Sequence, residues 1–213
     1  MINIALVCEG KTDQVIISHI IEQLSNDDSI DINPLQPRRD DTDQYTSTAG
    51  GWELVFEFCE NEIEDALQYN DYVLIQIDAD QSDHPNFCVD LTCGGNDRPC
   101  DDVVNDIIFL IKEKIGTDIL NNNDDRILFA VSFHSIESWI YLIILDKYKP
   151  KNSFQHLKRE INRKYNINIT KNIPSYTKLC NFIKKRNILS SLGTDISYDL
   201  IINRLNIILN NDL

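Results

Sequence analysis

Residues 72–80 read YVLIQIDAD, a β-branched, apolar run that stops at Asp78-Ala79-Asp80. A short run of this kind suits a strand buried on both faces of a sheet. Two similar runs flank it. Residues 2–8, INIALVC, end at Glu9-Gly10, and residues 127–133, ILFAVSF, lead to His134 and Glu137. Between the runs the apolar spacing turns helical. Residues 13–24 carry Val15, Ile16, Ile20, Ile21 and Leu24 on one stripe, with Thr12 or Asp13 placed to cap it, and helices are expected at 52–68, 102–115 and 136–146. A short strand is expected at 30–33, ended by Pro34, and a polar loop with Gly50-Gly51 over 34–51. The order β-α-(β)-α-β-α-β-α predicts an α/β fold whose mostly parallel sheet is covered on both faces.

Beyond Lys147 the pattern changes. Helical spacing recurs at 153–165, 176–188 and 196–210 with no convincing strand, so the expected organisation is an α/β unit over 1–146 and an all-helical region over 147–213. Charge divides at the same place. Residues 1–146 hold 30 acids and 7 bases, whereas 147–213 hold 13 bases and 4 acids, so the formal −14 is a strongly acidic part beside a basic one. The total alone argues against a nucleic-acid partner, because phosphate repels acid, but the division removes that argument. The 42% hydrophobic and 25% charged composition is that of a globular chain. No apolar run approaches membrane-spanning length, and MINIALVCEG lacks the basic start of a signal peptide, so a cytoplasmic protein without a membrane partner is expected.

The strand ends carry the chemistry. In open parallel sheets, ligands bind at the carboxyl ends of strands. Here those ends deliver Glu9, Asp78, Asp80 and Glu137 to one rim. Like charges gathered this way are costly unless a cation neutralises them, and an oxygen-only donor set favours a hard ion such as Mg²⁺. A single acid at a strand end is commonly only a turn or helix cap; acids at 9, 78 and 80 together exceed what capping requires. Gly10-Lys11-Thr12 resembles the tail of a phosphate-binding loop, but the earlier glycine that loop needs is Ala5, so no nucleotide-binding P-loop is present. Lys11 stays of interest beside the rim. Six cysteines stand at 8, 59, 88, 93, 100 and 180. His84, Cys88, Cys93 and Cys100 share a loop-like stretch, but their spacing matches no compact zinc knuckle, and free cysteines are expected there.

Val7-Cys8-Glu9-Gly10-Lys11-Thr12-Asp13, followed by Ile75-Gln76-Ile77-Asp78-Ala79-Asp80, resembles the TOPRIM domain, and Ser135-Ile136-Glu137-Ser138-Trp139 is similar to a segment of stand-alone TOPRIM proteins from anti-phage defence loci. The resemblance covers about residues 1–146. It implies a Rossmann-like TOPRIM fold and a Mg²⁺-dependent endonuclease, with Mn²⁺ as a substitute ion, acting on DNA or RNA as the toxic effector of a defence system. By the same resemblance Glu9 is the general acid/base, Asp78 and Asp80 are metal ligands, Glu137 completes a second metal site, and Gly10, Lys11 and Asp13 support the first motif. An ATPase partner is consistent with it. The stretch 81–101 has no counterpart in the minimal pattern, and no domain of the size used by topoisomerases or primases is present. The basic region would then grip phosphates through Lys158, Arg159, Arg163, Lys164, Lys184, Lys185 and Arg186. Tyr165, Tyr176 and Phe182 are read as core in preference to base-stacking platforms.

Two other readings stand beside this one. A haloacid-dehalogenase-like phosphatase would use Asp78-x-Asp80 as nucleophile and acid with Ser82 as a loosely fitting hydroxyl, but it leaves Glu9-Gly10 without a role. A non-catalytic scaffold would pair its acidic and basic surfaces in a homodimer or with another protein.

Overall fold

The computed structural model describes residues 1–25, 30–38 and 50–210. The elements follow as β1 (Ile2–Val7), α1 (Lys11–Leu24), β2 (Ile30–Gln36), α2 (Trp52–Asn61), α3 (Ile63–Tyr69) and β3 (Tyr72–Asp78). A short hairpin, β4 (Thr92–Cys93) and β5 (Asn96–Asp97), precedes α4 (Cys100–Ile115), α5 (Thr117–Asn123), β6 (Ile127–Ser132) and α6 (Glu137–Leu145). Four more helices close the chain: α7 (Ser153–Tyr165), α8 (Ile173–Cys180), α9 (Lys185–Ser190) and α10 (Ile196–Asn210).

Strands β2, β1, β3 and β6 pair in that order, all parallel. Successive side chains of a strand point to opposite faces, so each strand feeds two cores. Ile4, Leu6, Cys8, Leu74, Leu128 and Ala130 pack with α1, α6 and the C-terminal helices. Ala5, Val7, Val73, Ile75, Ile77 and Val131 pack with α2, α3 and α4 on the other face. The α/β class and the parallel sheet expected from the apolar strands are therefore present. Chain order also fixes where a ligand would sit. From β1 the chain runs through α1 to β2 on one side, then crosses to β3 on the other. The carboxyl ends of β1 and β3 thus form the switch point at which such sheets bind ligands.

Among the described residues after 146, every helix or strand is helical. These helices do not form a separate core. Leu157 and Ile161 of α7, Tyr176 and Leu179 of α8, Ile188 of α9 and Tyr198, Ile202 and Leu205 of α10 share one apolar cluster with α1 and the sheet. Polar ties follow the same seam. Lys185 Nζ donates to the Leu24 carbonyl at 2.8 Å, a cation on the free C-terminal end of α1, and Trp139 Nε1 donates to Ser197 Oγ at 3.1 Å. Helix α6 is apolar all round, and its residues 137–144 are buried, as expected of a helix between the sheet and a covering layer. Among the described residues, no helix is long and apolar enough to cross a membrane.

Several boundaries differ from those read in the sequence. β2 continues past Pro34 to Gln36, because it is the sheet edge and a missing N–H there breaks no second ladder. Of the loop expected over 34–51, residues 39–49 lie outside the described residues. The helix expected at 52–68 is interrupted at Glu62, where φ is −123°. The helix expected at 176–188 is two, α8 and α9, and α8 starts earlier because the Asn172 side chain accepts from Ser175 N–H at 3.0 Å with Pro174 in the first turn. In the unassigned 81–101 stretch, Phe87 is fully buried between Trp52 and Phe56, at ring-centroid distances of 5.1 and 4.9 Å.

If the C-terminal helices share the sheet's core, truncating Leu157 to Ala should destabilise the whole chain by about 2–5 kcal/mol. Denaturant unfolding followed by circular dichroism and by Trp fluorescence should still show one coincident transition. Two separated transitions would show that α7–α10 unfold on their own.

Candidate functional site

A cleft of about 450 Å³ opens at the switch point, lined by Glu9, Asp13, Asp78, Asp80, Glu137 and Lys171 together with the Gly50-Gly51 strap and Trp52. Glu9 follows β1 directly. The Asp78 backbone N–H donates to its Oε2 at 3.0 Å, which ties the two strand ends together. The Glu9 backbone is held from the other side, where Gly51 N–H donates to its carbonyl at 2.8 Å. Gly50 passes so close that a Cβ there would lie 2.5 Å from the same carbonyl oxygen. A Cβ on Gly10 would lie 2.6 Å from Asp13 Oδ2 and would displace that carboxylate from its place over the Gly10 N–H. Asp13, in the first turn of α1, accepts from the Gly10 N–H; the helix starts at Lys11 with Gly10 as its N-cap, so the cap expected from Thr12 or Asp13 is not made.

Asp78 ends β3. Its Oδ1 accepts from Gln76 Nε2 at 2.9 Å, from the Ile136 N–H at the start of α6 at 3.1 Å, and from Ser132 Oγ. Gln76 is fully buried and also accepts from the Glu9 N–H at 3.2 Å, so one side chain clamps both strand ends. Asp80 stands exposed on the turn after β3. Glu137 opens α6 and is 3% exposed. Its Oε2 accepts from Ser135 Oγ at 2.6 Å, its Oε1 accepts from the Tyr176 hydroxyl, and Lys171 Nζ lies 3.4 Å from that same Oε1.

The electrostatics follow from this crowding. Burial, helped by Asp80, pushes the Glu9 carboxyl up to about 7, against the pull of the Asp78 N–H and Lys171. Burial and then Glu137 and Glu9 raise Asp13 well above the usual carboxylate range, and burial with Asp13, Glu9 and Glu137 does the same to Asp78. Asp80, exposed on its turn but lining the cleft, is also raised, by partial loss of water and despite Lys171. Burial opposes the Lys171 ammonium, but Glu137, Asp78 and Asp80 hold it above its ordinary value.

The structure thus brings Glu9, Asp13, Asp78, Asp80 and Glu137 to one cleft, with Gly10 in its wall. Lys11 opens α1 but is not among the lining residues. Ser82 is buried and does not line the cleft either. Nor do Lys158, Arg159, Arg163 and Lys164 on α7, or Lys184, Lys185 and Arg186 at the start of α9. Arg163 pairs with Glu160 at 2.6 Å, and Lys185 is engaged at the end of α1. The cation that reaches the carboxylates is Lys171, on the loop between α7 and α8, which the sequence shows only as one of many basic residues. Tyr176 is fully buried, and Tyr165 and Phe182 stack on each other at 4.3 Å, partly buried against the core. The supporting polar residues Gln76, Ser132, Ser135 and Tyr176 were not singled out for this role. Gln76 and Ser132 left a sign, as polar residues inside otherwise apolar runs.

The oxygen-only donor set suits a hard divalent cation, which would remove the mutual repulsion of these acids. Glu9 Oε1 and Asp78 Oδ2 take none of the bonds described above, and Asp80 is exposed, so these three are the available donors. As the side chains stand, no group of three or more His, Cys, Asp or Glu among the described residues is arranged to hold a metal, and ligation requires their rotation. The candidate zinc residues have separate neighbours. His84 packs on Trp52 at 5.4 Å, Cys88 Sγ donates to the Pro85 carbonyl, Cys93 lies exposed on the hairpin, and Cys100 Sγ lies 3.9 Å from Asp195 Oδ1.

Comparison with family models, with curated proteins and with solved structures finds no match to this chain.

Carboxyls whose folded pKa is raised bind more protons in the native than in the unfolded state. Their stabilising effect is present at low pH and is lost as pH rises from the unfolded value through the folded one. For Glu9 that window runs from 4.5 to about 7, and Asp13 and Asp78 act in the same direction. In a metal chelator, the melting temperature should therefore fall as pH rises across this window, and Glu9→Gln should flatten the fall. A melting temperature that rises over the same window would contradict this electrostatic account.

Proposed function

We propose that this protein is a Mg²⁺-dependent endonuclease of the TOPRIM type that hydrolyses phosphodiesters of DNA or RNA. One observation carries the reading. The Glu9-Gly10 end of β1 and the Asp78-x-Asp80 end of β3 meet at the switch point of a parallel sheet, joined by the Asp78 N–H bond to Glu9. A bound Mg²⁺ would supply Lewis-acid polarisation of the phosphoryl group and stabilise developing negative charge. Glu9, Asp78 and Asp80 would hold it, with Mn²⁺ as a substitute.

The chain's own residues then have distinct tasks. Without a cation the Glu9 carboxyl is pushed up to about 7 by burial; beside a bound cation it would return toward the carboxylate, the form that accepts a proton from an attacking water. Gln76, Ser132 and the start of α6 fix Asp78 in one orientation, which spares reorganisation during reaction. Lys171 offers a second positive charge across the cleft, where it can meet a phosphate oxygen once the acids are neutralised. The resemblance adds a setting: a toxic effector in anti-phage defence, controlled by an ATPase partner. Ser82 stands outside the cleft, which weighs against the phosphatase reading, in which that hydroxyl would act at the site.

The test is cleavage of plasmid DNA, single-stranded DNA and RNA by the full chain with Mg²⁺, Mn²⁺ or chelator. Cleavage should need the divalent ion, and Glu9→Gln and Asp78→Asn should each lower it by about 100-fold or more. Undiminished cleavage in both variants would remove the assignment. Hydrolysis of an aryl phosphate with no polynucleotide cleavage would favour the phosphatase instead.

A further inference from the structure

Next to the carboxylate cleft lies a second cleft of about 440 Å³, and the two share Asp80 and Lys171 as walls. We propose that this second cleft seats a backbone phosphate of the substrate strand, one that neighbours the phosphate being cleaved. The inference rests on the nuclease reading for the identity of the strand; the anion site stands on the groups in the cleft.

The lining of the second cleft contrasts with that of the first. The first gathers five carboxylates around Lys171, whereas the second sets Lys151 and Lys171 against Asp80 alone and adds the uncharged donors Asn152, Ser153 and Gln155. An anionic strand entering between them meets its cations here.

His134, at the end of β6, also lines this cleft, and its Nε2 is shielded from solvent with no hydrogen-bond partner. Shielded ring nitrogens of this kind ordinarily have a partner; a turn of the half-buried ring toward the cleft would let a phosphate oxygen supply one. Helix α7 opens into the same space. Its N-cap, Asn152, makes no side-chain cap, so the first-turn N–H groups of a 13-residue helix have no side-chain acceptor from it.

The pairings that Lys151 and Lys171 make now are not fixed. Lys151 pairs with Asp97 across two side chains that are 56% and 61% exposed, an arrangement that water and salt screen. Lys171 pairs with Glu137 at 3.4 Å, and Glu137 keeps two hydroxyl donors if the lysine turns toward a phosphate. Asp80, the one acid in the second cleft, is also a proposed metal ligand, so its charge is neutralised when the site is loaded.

Two measurements on the full chain test this. In the first, inorganic phosphate is titrated into ¹⁵N-labelled protein, and the amides of residues 151–155 and of His134 should shift in a saturable way. In the second, a labelled single-stranded oligonucleotide is bound to the Glu9→Gln protein at several salt concentrations. Adding Lys151→Ala should weaken binding by about three- to tenfold and make the slope of log K against log salt shallower by about 0.7. Lys151→Arg should retain binding, and Lys112→Ala, at the far end of the sheet, should leave it unchanged. Equal binding by the Lys151→Ala and Lys112→Ala proteins would overturn the proposal. So would phosphate-induced shifts at 151–155 combined with strand affinity indifferent to Lys151, since the cleft would then take a free phosphoryl group. If Lys151→Ala weakens binding while Glu9→Gln and Asp78→Asn cleave like wild type, the subsite stands and the assignment of the carboxylate cleft falls.

Discussion

Among the described residues, five carboxylates and one ammonium line a single cleft, and the rest of the structure is arranged around that imbalance. Bringing so many acids together in a poorly solvated place is unfavourable on both counts, desolvation and mutual repulsion, and the raised carboxyls of Glu9, Asp13, Asp78 and Asp80 record it. A chain selected for stability alone would place apolar or neutral residues at these strand ends. This one instead places dedicated donors against two of the acids: Gln76, Ser132 and the α6 amide on Asp78, and Ser135 and Tyr176 on Glu137. Local violation of the stability rules, supported on all sides by buried polar groups, is what a preorganised site looks like from the energetic side.

The charge division along the chain acquires a structural meaning from this. The basic C-terminal helices bury Leu157, Ile161, Tyr176 and Leu179 in the same core as α1 and the sheet, so they are a layer of the fold. That layer carries Lys171 and Tyr176 to Glu137 from the side opposite β1 and β3. The acidic part supplies the cleft and the basic part closes it. Arg159, Arg163 and Lys164 lie on the exposed side of α7 and do not line the carboxylate cleft.

What was legible in the sequence follows from range. The strands announce themselves through short apolar runs, and the acids at 9, 78 and 80 are legible because each directly follows one. The parallel sheet then places those strand ends together without further information. Lys171 is different. Its position depends on how α7 and α8 dock, and nothing within a few residues of it distinguishes it from Lys164 or Lys178. The Tyr176 ring is legible as core from its helical spacing, but its hydroxyl partner lies 39 residues away and has no local trace. Other misses were readable. Asn172-Ile173-Pro174 carries the capping residue and proline of a helix start, and Gln76 is an unexplained amide inside a buried strand. β2 ran past Pro34 because edge position, which permits proline, is a property of the sheet and not of the segment.

The hydrogen bonds also separate the acids into two groups with different work to do. Glu137 has both oxygens engaged, is almost fully buried, and sits at the N-terminus of α6, where the helix favours its charge. A carboxylate so satisfied gains little from ligating a cation and would have to release Tyr176 or Ser135 to do so. It is better suited to anchoring Lys171 at the mouth of the cleft. Glu9 and Asp78 each have one oxygen committed to fixing the side chain and one uncommitted, and Asp80 is exposed on a turn. The proposed metal set therefore contracts from the four acids at the strand ends to Glu9, Asp78 and Asp80. In the proposed reading Glu137 is a positioning residue that acts through Lys171. With Lys171 held opposite three available carboxylates, the proposed one-metal arrangement, in which Lys171 supplies the second positive charge, needs none of the other described acids, whereas a two-metal arrangement that used Glu137 would have to dismantle the network around it.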